Sequence, residues 1–175
     1  EESYTAVLRG KLSRGQLDAI FIALPFTEPE VVTRPVYDEP FVVVLPQDHP
    51  LAGDKRVDPA ALAEHRVLLM GEGHCFRDQV LEACPGLNQA IQDDYASGHA
   101  IVEGSSLETL KHMVATGLGI TVLPRSAAEL ASYGGKTLVV REFVEPVPTR
   151  TIAIAWRVSY PRHQAIDTLA GVLQD

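Results

Sequence analysis

The chain has 175 residues, 46% hydrophobic and 22% charged, which is enough to bury the core of one large domain or two small ones. With 15 Lys and Arg against 23 Asp and Glu, the net charge of −8 excludes a basic face for gripping a nucleic-acid backbone. Two cysteines are too few for a disulfide scaffold, and no apolar run approaches the roughly 20 residues of a membrane span. The composition favours a soluble, cytoplasmic protein with no membrane partner.

The first part of the chain alternates between helical and extended patterns. Residues 3–14 predict a surface helix that ends at Gly15, and residues 17–24 are apolar enough for a parallel strand covered on both faces. Two short strands are expected in the next stretch, residues 33–52. Proline interrupts this stretch at Pro35, Pro40 and Pro46.

The middle of the chain predicts a short helix that starts from Asp58 and Pro59, followed by a strand that runs into a glycine loop at residues 66–73. Residues 74–83 have a helical pattern, which the sequence Cys-Pro-Gly stops. Residues 87–98 are expected to be a polar connection.

Residues 100–124 predict a strand, a helix and a second strand, with Ser105 and Glu108 in a capping-box pattern and Gly117 at the end of the helix. A strand over residues 149–157 and a helix over residues 161–174 close the chain. This alternation indicates an α/β fold with mostly parallel sheets.

Three site chemistries are disfavoured by spacing. The glycine pairs match no phosphate-binding loop, so no nucleotide cofactor is expected. The histidines and cysteines lack the spacing of a metal site, so no metal is expected. A cysteine hydrolase needs a base facing its nucleophile, whereas neighbouring helix residues point about 100° apart. The residues weighed for these sites are His74, Cys75, Cys84, His99 and His112.

A reactive thiol is the remaining possibility. Cys75 is expected in the first turn of its helix, where unpaired backbone N–H groups favour an anion and His74 and Arg77 add positive potential. The other possibility is that Cys75 is a small buried hydrophobe. Cys84 lies nine positions later, about 13.5 Å along an intact helix and on the opposite face. A disulfide needs Cα atoms roughly 4.4 to 6.8 Å apart, so any pairing of the two would require the helix to be remodelled.

The segment GEGHCFRDQVLEAC, residues 71–84, resembles the redox segment of OxyR-type hydrogen peroxide sensors, whose GHCxRDQ motif is followed by a second cysteine nine positions after the first. The segments LSRGQLDAIFIAL, VYDEPFVVVLPQDHPLA and EGSSLETLKHMVATGLGITVLP are similar to effector-domain motifs of the wider LysR-type regulator family, in the same order. The resemblance covers nearly the whole chain.

The resemblance implies two Rossmann-like lobes joined by two crossover strands, as in periplasmic binding proteins. The first lobe is expected to comprise residues 1–39 and 148–175 and to be incomplete on its N-terminal side. The second, residues 40–147, is expected to carry the cysteines. The family's DNA-binding winged helix-turn-helix is expected to lie outside this chain.

For the site, the resemblance implies that hydrogen peroxide oxidises Cys75 and that Cys84 resolves the product as a disulfide. Residues implied to bind peroxide or tune the thiol are Thr5, His74, Arg77, Asp78 and Arg150. Asp78 is expected to act by fixing Arg77 or the first helical turn. Helix capping by Thr5 and a surface ion pair at Arg150 are the alternatives for those two residues.

The resulting hypothesis is the regulatory domain of a peroxide-responsive transcription factor, not an enzyme and without a cofactor. Its implied partners are a second copy or three further copies of the chain, promoter DNA through the missing domain, and RNA polymerase. One alternative is a LysR-type domain that binds a small anion between the lobes, at the helix start within residues 104–109. Another is a thiol peroxidase.

Overall fold

The structure, a computed structural model, describes residues 3–72, 74–96, 102–128 and 138–173. Its helices are α1 (Thr5–Ser13), α2 (Cys75–Ala83), α3 (Pro85–Ala96), α4 (Leu107–Ala115) and α5 (His163–Val172). Its strands are β1 (Ala19–Ala23), β2 (Val31–Pro46), β3 (Arg56–Val57), β4 (Val67–Met70), β5 (Glu103–Gly104), β6 (Ile120–Pro124), β7 (Leu138–Phe143) and β8 (Thr149–Arg157). None of the helices in these ranges is long and apolar enough to cross a membrane.

The chain divides into two compact units. The first contains Glu1–Glu39 and Arg150–Asp175, and the second is the continuous segment Pro40–Thr149. Strand β2 contributes residues to both. The helices predicted at the start and end of the chain are confirmed as α1 and α5, and the strand predicted at residues 149–157 is confirmed as β8.

In the first unit, β1 pairs antiparallel with β8, from Ala19 opposite Trp156 to Ala23 opposite Ile152. The prediction of a parallel strand covered on both faces is therefore wrong. Only one face of β1 is covered: Ile20 and Ile22 are buried, whereas Phe21 between them is 44% exposed. A run of apolar residues fits either arrangement, because aromatic residues are also common on the open face of an antiparallel strand.

The second unit is built on a mixed sheet in the order β3, β7, β2, β6, β4, β5. The pairs formed by β4 with β5, β4 with β6 and β3 with β7 are parallel. Within this unit, strand β2 runs antiparallel to β6 and to β7. The expectation of mostly parallel sheets therefore holds only at the two ends of this sheet, and strand β7 was not predicted.

The centre of this sheet is a continuous apolar run. The five residues from Phe41 to Leu45 are each no more than 1% exposed, and all four residues of β4 are buried as well. Burying one such side chain contributes about 1.5–3 kcal/mol. Helices α2 and α4 pack against this core.

The prolines in β2 do not break it, contrary to the sequence prediction of two short strands. Proline cannot donate a ladder hydrogen bond, so it is tolerated where no donor is required. Pro40 stands just before Phe41, the first residue of β2 that pairs with β6, and Pro35 is exposed. A single strand of 16 residues results.

The polar connection predicted at residues 87–98 is also wrong. Helix α3 occupies Pro85–Ala96, and residues 97 and 98 lie outside the described part of the chain. Pro85 stands at the first helical position, where its missing N–H costs nothing. Leu87 and Ile91 are one turn apart and are buried against the core. These two apolar residues, although they stand among polar neighbours, are sufficient to pack the helix against this core.

Helix α4 starts one residue later than the capping-box pattern indicated. Ser106, rather than Ser105, is the capping residue, and its hydroxyl accepts a hydrogen bond from the Thr109 amide at 3.1 Å. The predicted helix end at Gly117 is confirmed, since its φ of +81° is a conformation that glycine adopts without steric cost. The short helix predicted from Asp58 is present as a 3₁₀ helix, Pro59–Glu64.

Two histidines of the second unit pack edge to face, with 4.8 Å between the ring centroids of His49 and His65. The Nδ1 atom of His49 accepts a hydrogen bond from the Leu51 amide at 3.2 Å. Burial, followed by repulsion from His65, lowers the pKa of His49, while Asp48 opposes the shift. The fold therefore favours the neutral imidazole.

Because the pKa of His49 is lower in the folded than in the unfolded chain, the unfolded chain binds the proton first as pH falls. The free energy of unfolding should be highest above the unfolded value of 6.5 and should decrease as pH falls below it. His49→Gln should reduce this decrease, as measured by urea denaturation between pH 7.5 and 5. His163→Gln, at an exposed position on α5, is the control and should leave it unchanged. An equal slope in the His49 variant would contradict the prediction.

Candidate redox site

Helix α2 presents Cys75 at its first position. His74 precedes it in an extended conformation, with φ −87° and ψ 116°, and the Arg77 amide donates to the His74 carbonyl at 2.9 Å. Cys75 is exposed and is not in a disulfide. The sequence prediction of a helix over residues 74–83 is confirmed to within one residue. The thiol is thus in the first turn of a helix, where backbone N–H groups favour a negative charge.

The opposite face of α2 is embedded in the core of the second unit. Phe76 and Val80 are 5% and 0% exposed. The ring of Phe76 meets Phe41 of β2 edge to face, with 5.8 Å between centroids. Aromatic pairs in this geometry stabilise by roughly 0.5–1.5 kcal/mol beyond the area they bury. This contact fixes the rotation of α2 and so keeps Cys75 on the outer face.

Cys84 ends the same helix and is fully buried. Its amide donates to the Val80 carbonyl at 2.9 Å, and its carbonyl accepts from the amides of Leu87 and Asn88 at 3.0 and 3.3 Å. The thiol is free. Nine residues of helix place the two cysteines about 13.5 Å apart along the axis and half a turn out of phase. Their separation exceeds what a disulfide can span, so α2 must change before they can bond.

Burial raises the pKa of the Cys84 thiol to about 11. At neutral pH this group is therefore a protonated thiol, the form that reacts poorly with electrophiles. The two cysteines of one helix thus differ in accessibility. The difference arises from position alone, because one is at the exposed start of the helix and the other at its buried end.

Arg77 is buried, and its guanidinium connects three elements. Its Nη1 atom donates to the Met70 carbonyl of β4 at 3.1 Å and to the carboxylate of Glu103 on β5. The Arg77 side chain is 6% exposed and that of Glu103 is 30% exposed. Sequence analysis singled out Arg77 but missed Glu103. The only indication was a carboxylate at the end of a short strand. It comes beside Arg77, which lies 26 residues earlier, only when β4 and β5 pair.

Asp78 is exposed on α2 and lies in the first turn of the helix, where a carboxylate interacts favourably with the helix dipole. Asp78 was expected to fix either Arg77 or the first helical turn. Glu103 lies beside the Arg77 guanidinium, in the position that the first of these roles had suggested for Asp78. His74 is half-buried immediately before the thiol.

The other two residues implied by the resemblance belong to the first unit. Thr5 is the first residue of α1, and the capping position is taken by Tyr4, so capping by Thr5 is not observed. Arg150 donates from Nε and Nη2 to one oxygen of Glu39, at 2.8 and 2.7 Å. Glu39 is 4% exposed, so this ion pair is a buried one rather than a surface one.

The start of α4 is the position of the alternative anion site. Its serine hydroxyl groups lie within hydrogen-bonding distance of a threonine hydroxyl. The Thr109 hydroxyl lies 2.9 Å from that of Ser106 and 3.4 Å from that of Ser105. Across residues 3–72, 74–96, 102–128 and 138–173, no group of three or more His, Cys, Asp or Glu side chains is placed to hold a metal ion.

These features define the class of protein. The sequence model of the LysR substrate-binding domain matches residues 1–175, and the chain belongs to that family. The family resemblance and the expected LysR-type α/β fold class are thereby confirmed.

Several individual relatives carry the names of peroxide regulators. The chain is 40% identical over 172 residues to a probable hydrogen peroxide-inducible genes activator of Mycobacterium leprae, covering 98% of this chain and 53% of the relative. It is 52% identical to the reduced OxyR regulatory domain of Pseudomonas aeruginosa, with a TM-score of 0.84 over 99% of this chain and 80% of that one.

An oxidised form of OxyR is also similar, at 32% identity and a TM-score of 0.75, over 99% of this chain and 78% of that one. Similar solved structures thus include both redox forms. The chain spans about half the length of the curated relatives it matches.

The contrast between the two thiols predicts selective alkylation. At pH 8 a thiol with a pKa of about 11 is ionised in only about one molecule in a thousand. Iodoacetamide should therefore modify Cys75 first and Cys84 only slowly, as followed by peptide mass spectrometry of the reduced protein. In urea both should react at similar rates, because burial is lost. Faster labelling of Cys84 in the folded protein would contradict the prediction.

Proposed function

We propose that this chain is the regulatory domain of a peroxide-responsive LysR-type transcription factor, with Cys75 as the peroxide-reactive thiol and Cys84 as the resolving thiol. One observation carries the proposal: a single helix separates an exposed thiol at its N-terminus from a buried thiol at its C-terminus. The relatives named as peroxide-inducible activators and the similar reduced and oxidised OxyR structures support it.

In the first step, the Cys75 thiolate attacks one oxygen of hydrogen peroxide. The S–O bond forms as the O–O bond breaks, giving a sulfenic acid and releasing hydroxide, which is protonated to water. Sulfur is oxidised by two electrons and peroxide is reduced. The helix N-terminus favours the thiolate, and the charge of Arg77 adds to that field.

In the second step, the Cys84 sulfur displaces the hydroxyl group of the sulfenic acid, forming the disulfide and a second water. Because about 13.5 Å of helix separates the two positions, α2 must unwind for this step. Unwinding withdraws Phe76 and Val80 from the core, at about 1.5–3 kcal/mol for each side chain. Once the disulfide exists, the intact helix is excluded, because its geometry cannot bring the two Cα atoms within the roughly 4.4 to 6.8 Å that the bond requires.

The remodelled segment then changes how copies of the chain pack, as a homodimer or tetramer. In the full-length protein this repositions the DNA-binding domains on promoter DNA and alters contact with RNA polymerase in the cytoplasm. The two lobes in this proposal are residues 1–39 with 148–175, and residues 40–147. The two compact units support this division, with their second boundary between Thr149 and Arg150. The reaction is stoichiometric sensing rather than turnover, in keeping with relatives that are transcriptional regulators.

Four further residues take supporting roles. His74 and Asp78 shape the first turn around Cys75, whereas Thr5 and Arg150 contribute a hydroxyl and a cation toward peroxide. The structure supports a defined geometry for Arg150, whose guanidinium is held by the buried carboxylate of Glu39. Roles for these four residues in peroxide binding stay predictions.

The two cysteine variants should respond differently to peroxide. One equivalent of peroxide should convert the reduced protein to a species two mass units lighter that contains a Cys75–Cys84 crosslink. Cys75→Ser should show no change, because the buried thiol of Cys84 does not react. Cys84→Ser should accumulate oxidised Cys75 at 16 or 32 mass units heavier, because nothing resolves it. Intact-protein mass spectrometry after rapid quenching checks all three.

The reversed pattern, with oxidation retained in Cys75→Ser, would contradict the assignment of roles. Consumption of many equivalents of peroxide per chain in the presence of a reductant would identify a thiol peroxidase instead. Stabilisation against heat by small anions, with no thiol chemistry, would identify an effector-binding domain.

A further inference from the structure

The first turn of α2 is fastened to the sheet by the ion pair of Arg77 and Glu103. Strands β4 and β5 pair in parallel, with Leu69 opposite Glu103 and Met70 opposite Gly104. Arg77 Nη1 bonds to the Met70 carbonyl on one strand and to the Glu103 carboxylate on the other. The guanidinium therefore ties the helix to both strands at the place where they end.

The loop that leads to Cys75 is bonded to the end of β5, beside the same carboxylate. The Gly71 amide donates to the Gly104 carbonyl at 3.2 Å, and the His74 amide donates to the Gly71 carbonyl at 3.3 Å. A Cβ atom at Gly71 would lie 3.5 Å from Oε2 of Glu103. Glu103 thus lies beside the entry to α2 and also bonds to Arg77 in the first turn of this helix.

We propose that Glu103 is a positioning residue for the redox thiol, and that the Arg77–Glu103 pair is the latch that keeps α2 helical until Cys75 is oxidised. This inference rests on the proposed function for its role in signalling. The latch itself is a property of the reduced protein. A buried guanidinium whose carboxylate partner is removed is strongly destabilised, so loss of Glu103 releases the helix that Arg77 anchors.

The pair also sets the order of events. Because Arg77 lies two positions after Cys75, α2 cannot unwind from its N-terminus without withdrawing the guanidinium from Glu103 and Met70. Separating the buried guanidinium from its partly exposed carboxylate is therefore part of the barrier between the sulfenic acid and the disulfide. Weakening the latch should accelerate disulfide closure.

Amide hydrogen exchange of the reduced protein measures the latch without peroxide. In Glu103→Gln the backbone amides of residues 78–83 should exchange at least roughly tenfold faster, the factor expected when a charge-assisted hydrogen bond is lost. Glu103→Ala should have a larger effect. The matched control is Glu142→Gln, which neutralises an exposed carboxylate that pairs with Arg125 on the same unit and should leave exchange in α2 unchanged.

A double-mutant cycle tests whether the effect passes through Arg77. In an Arg77→Gln background, which already lacks the latch, Glu103→Gln should add little further exchange, because partners in one interaction are not additive. Additive effects would mean that Glu103 supports the fold independently, and the proposal would be overturned.

Rapid-quench mass spectrometry then measures disulfide closure after one equivalent of peroxide. Closure should be several-fold faster in Glu103→Gln than in the parent or in Glu142→Gln. Unchanged exchange in both Glu103 variants overturns the latch, whatever the peroxide chemistry. If exchange is faster in the Glu103 variants but the parent protein forms no Cys75–Cys84 disulfide, the latch is retained and the proposed function is overturned.

Discussion

The nine-residue spacing of two thiols along one helix is the constraint from which the behaviour of this domain follows. An α-helix turns by about 100° per residue, so residues nine apart face opposite directions. On α2 this places Cys75 in solvent and Cys84 in the core. The spacing thus creates both halves of the proposed mechanism: two thiols of different reactivity, and a conformation that keeps them from bonding.

The core of the second unit maintains that constraint. Helix α2 is seated by Phe76, Val80 and Cys84 on a sheet whose central strand is buried along five consecutive residues. Its first turn is seated separately, through the ion pair of Arg77 with Glu103. Apolar packing and a buried charge pair therefore hold the same helix at different points. The two interactions respond to different perturbations, since cavities weaken the first and loss of charge weakens the second.

Local patterns along the chain predicted α2, α4, α5 and the capping role of Asp58, because propensity and capping act over a few residues. Strand direction was not predictable in this way. Strand β1 pairs with β8 at the other end of the chain, from Ala19 opposite Trp156 to Ala23 opposite Ile152, and its apolar sequence suits either orientation. Glu103 was missed for the same reason, since its relation to Arg77 exists only after β4 and β5 pair. The connection after Cys84 was misjudged because polar residues masked the buried pair that seats α3.

Cys84 also joins two helices by its backbone. Its amide completes the last turn of α2, while its carbonyl accepts the first amides of α3. Pro85 follows, and because proline lacks an N–H and clashes with the preceding turn, the two helices cannot merge into a continuous rod. A movement of the Cys84 main chain toward Cys75 would therefore also disturb the starting hydrogen bonds of α3. A disulfide at Cys84 can therefore affect more than the segment between the two cysteines. Through the main chain of Cys84 it reaches the start of α3.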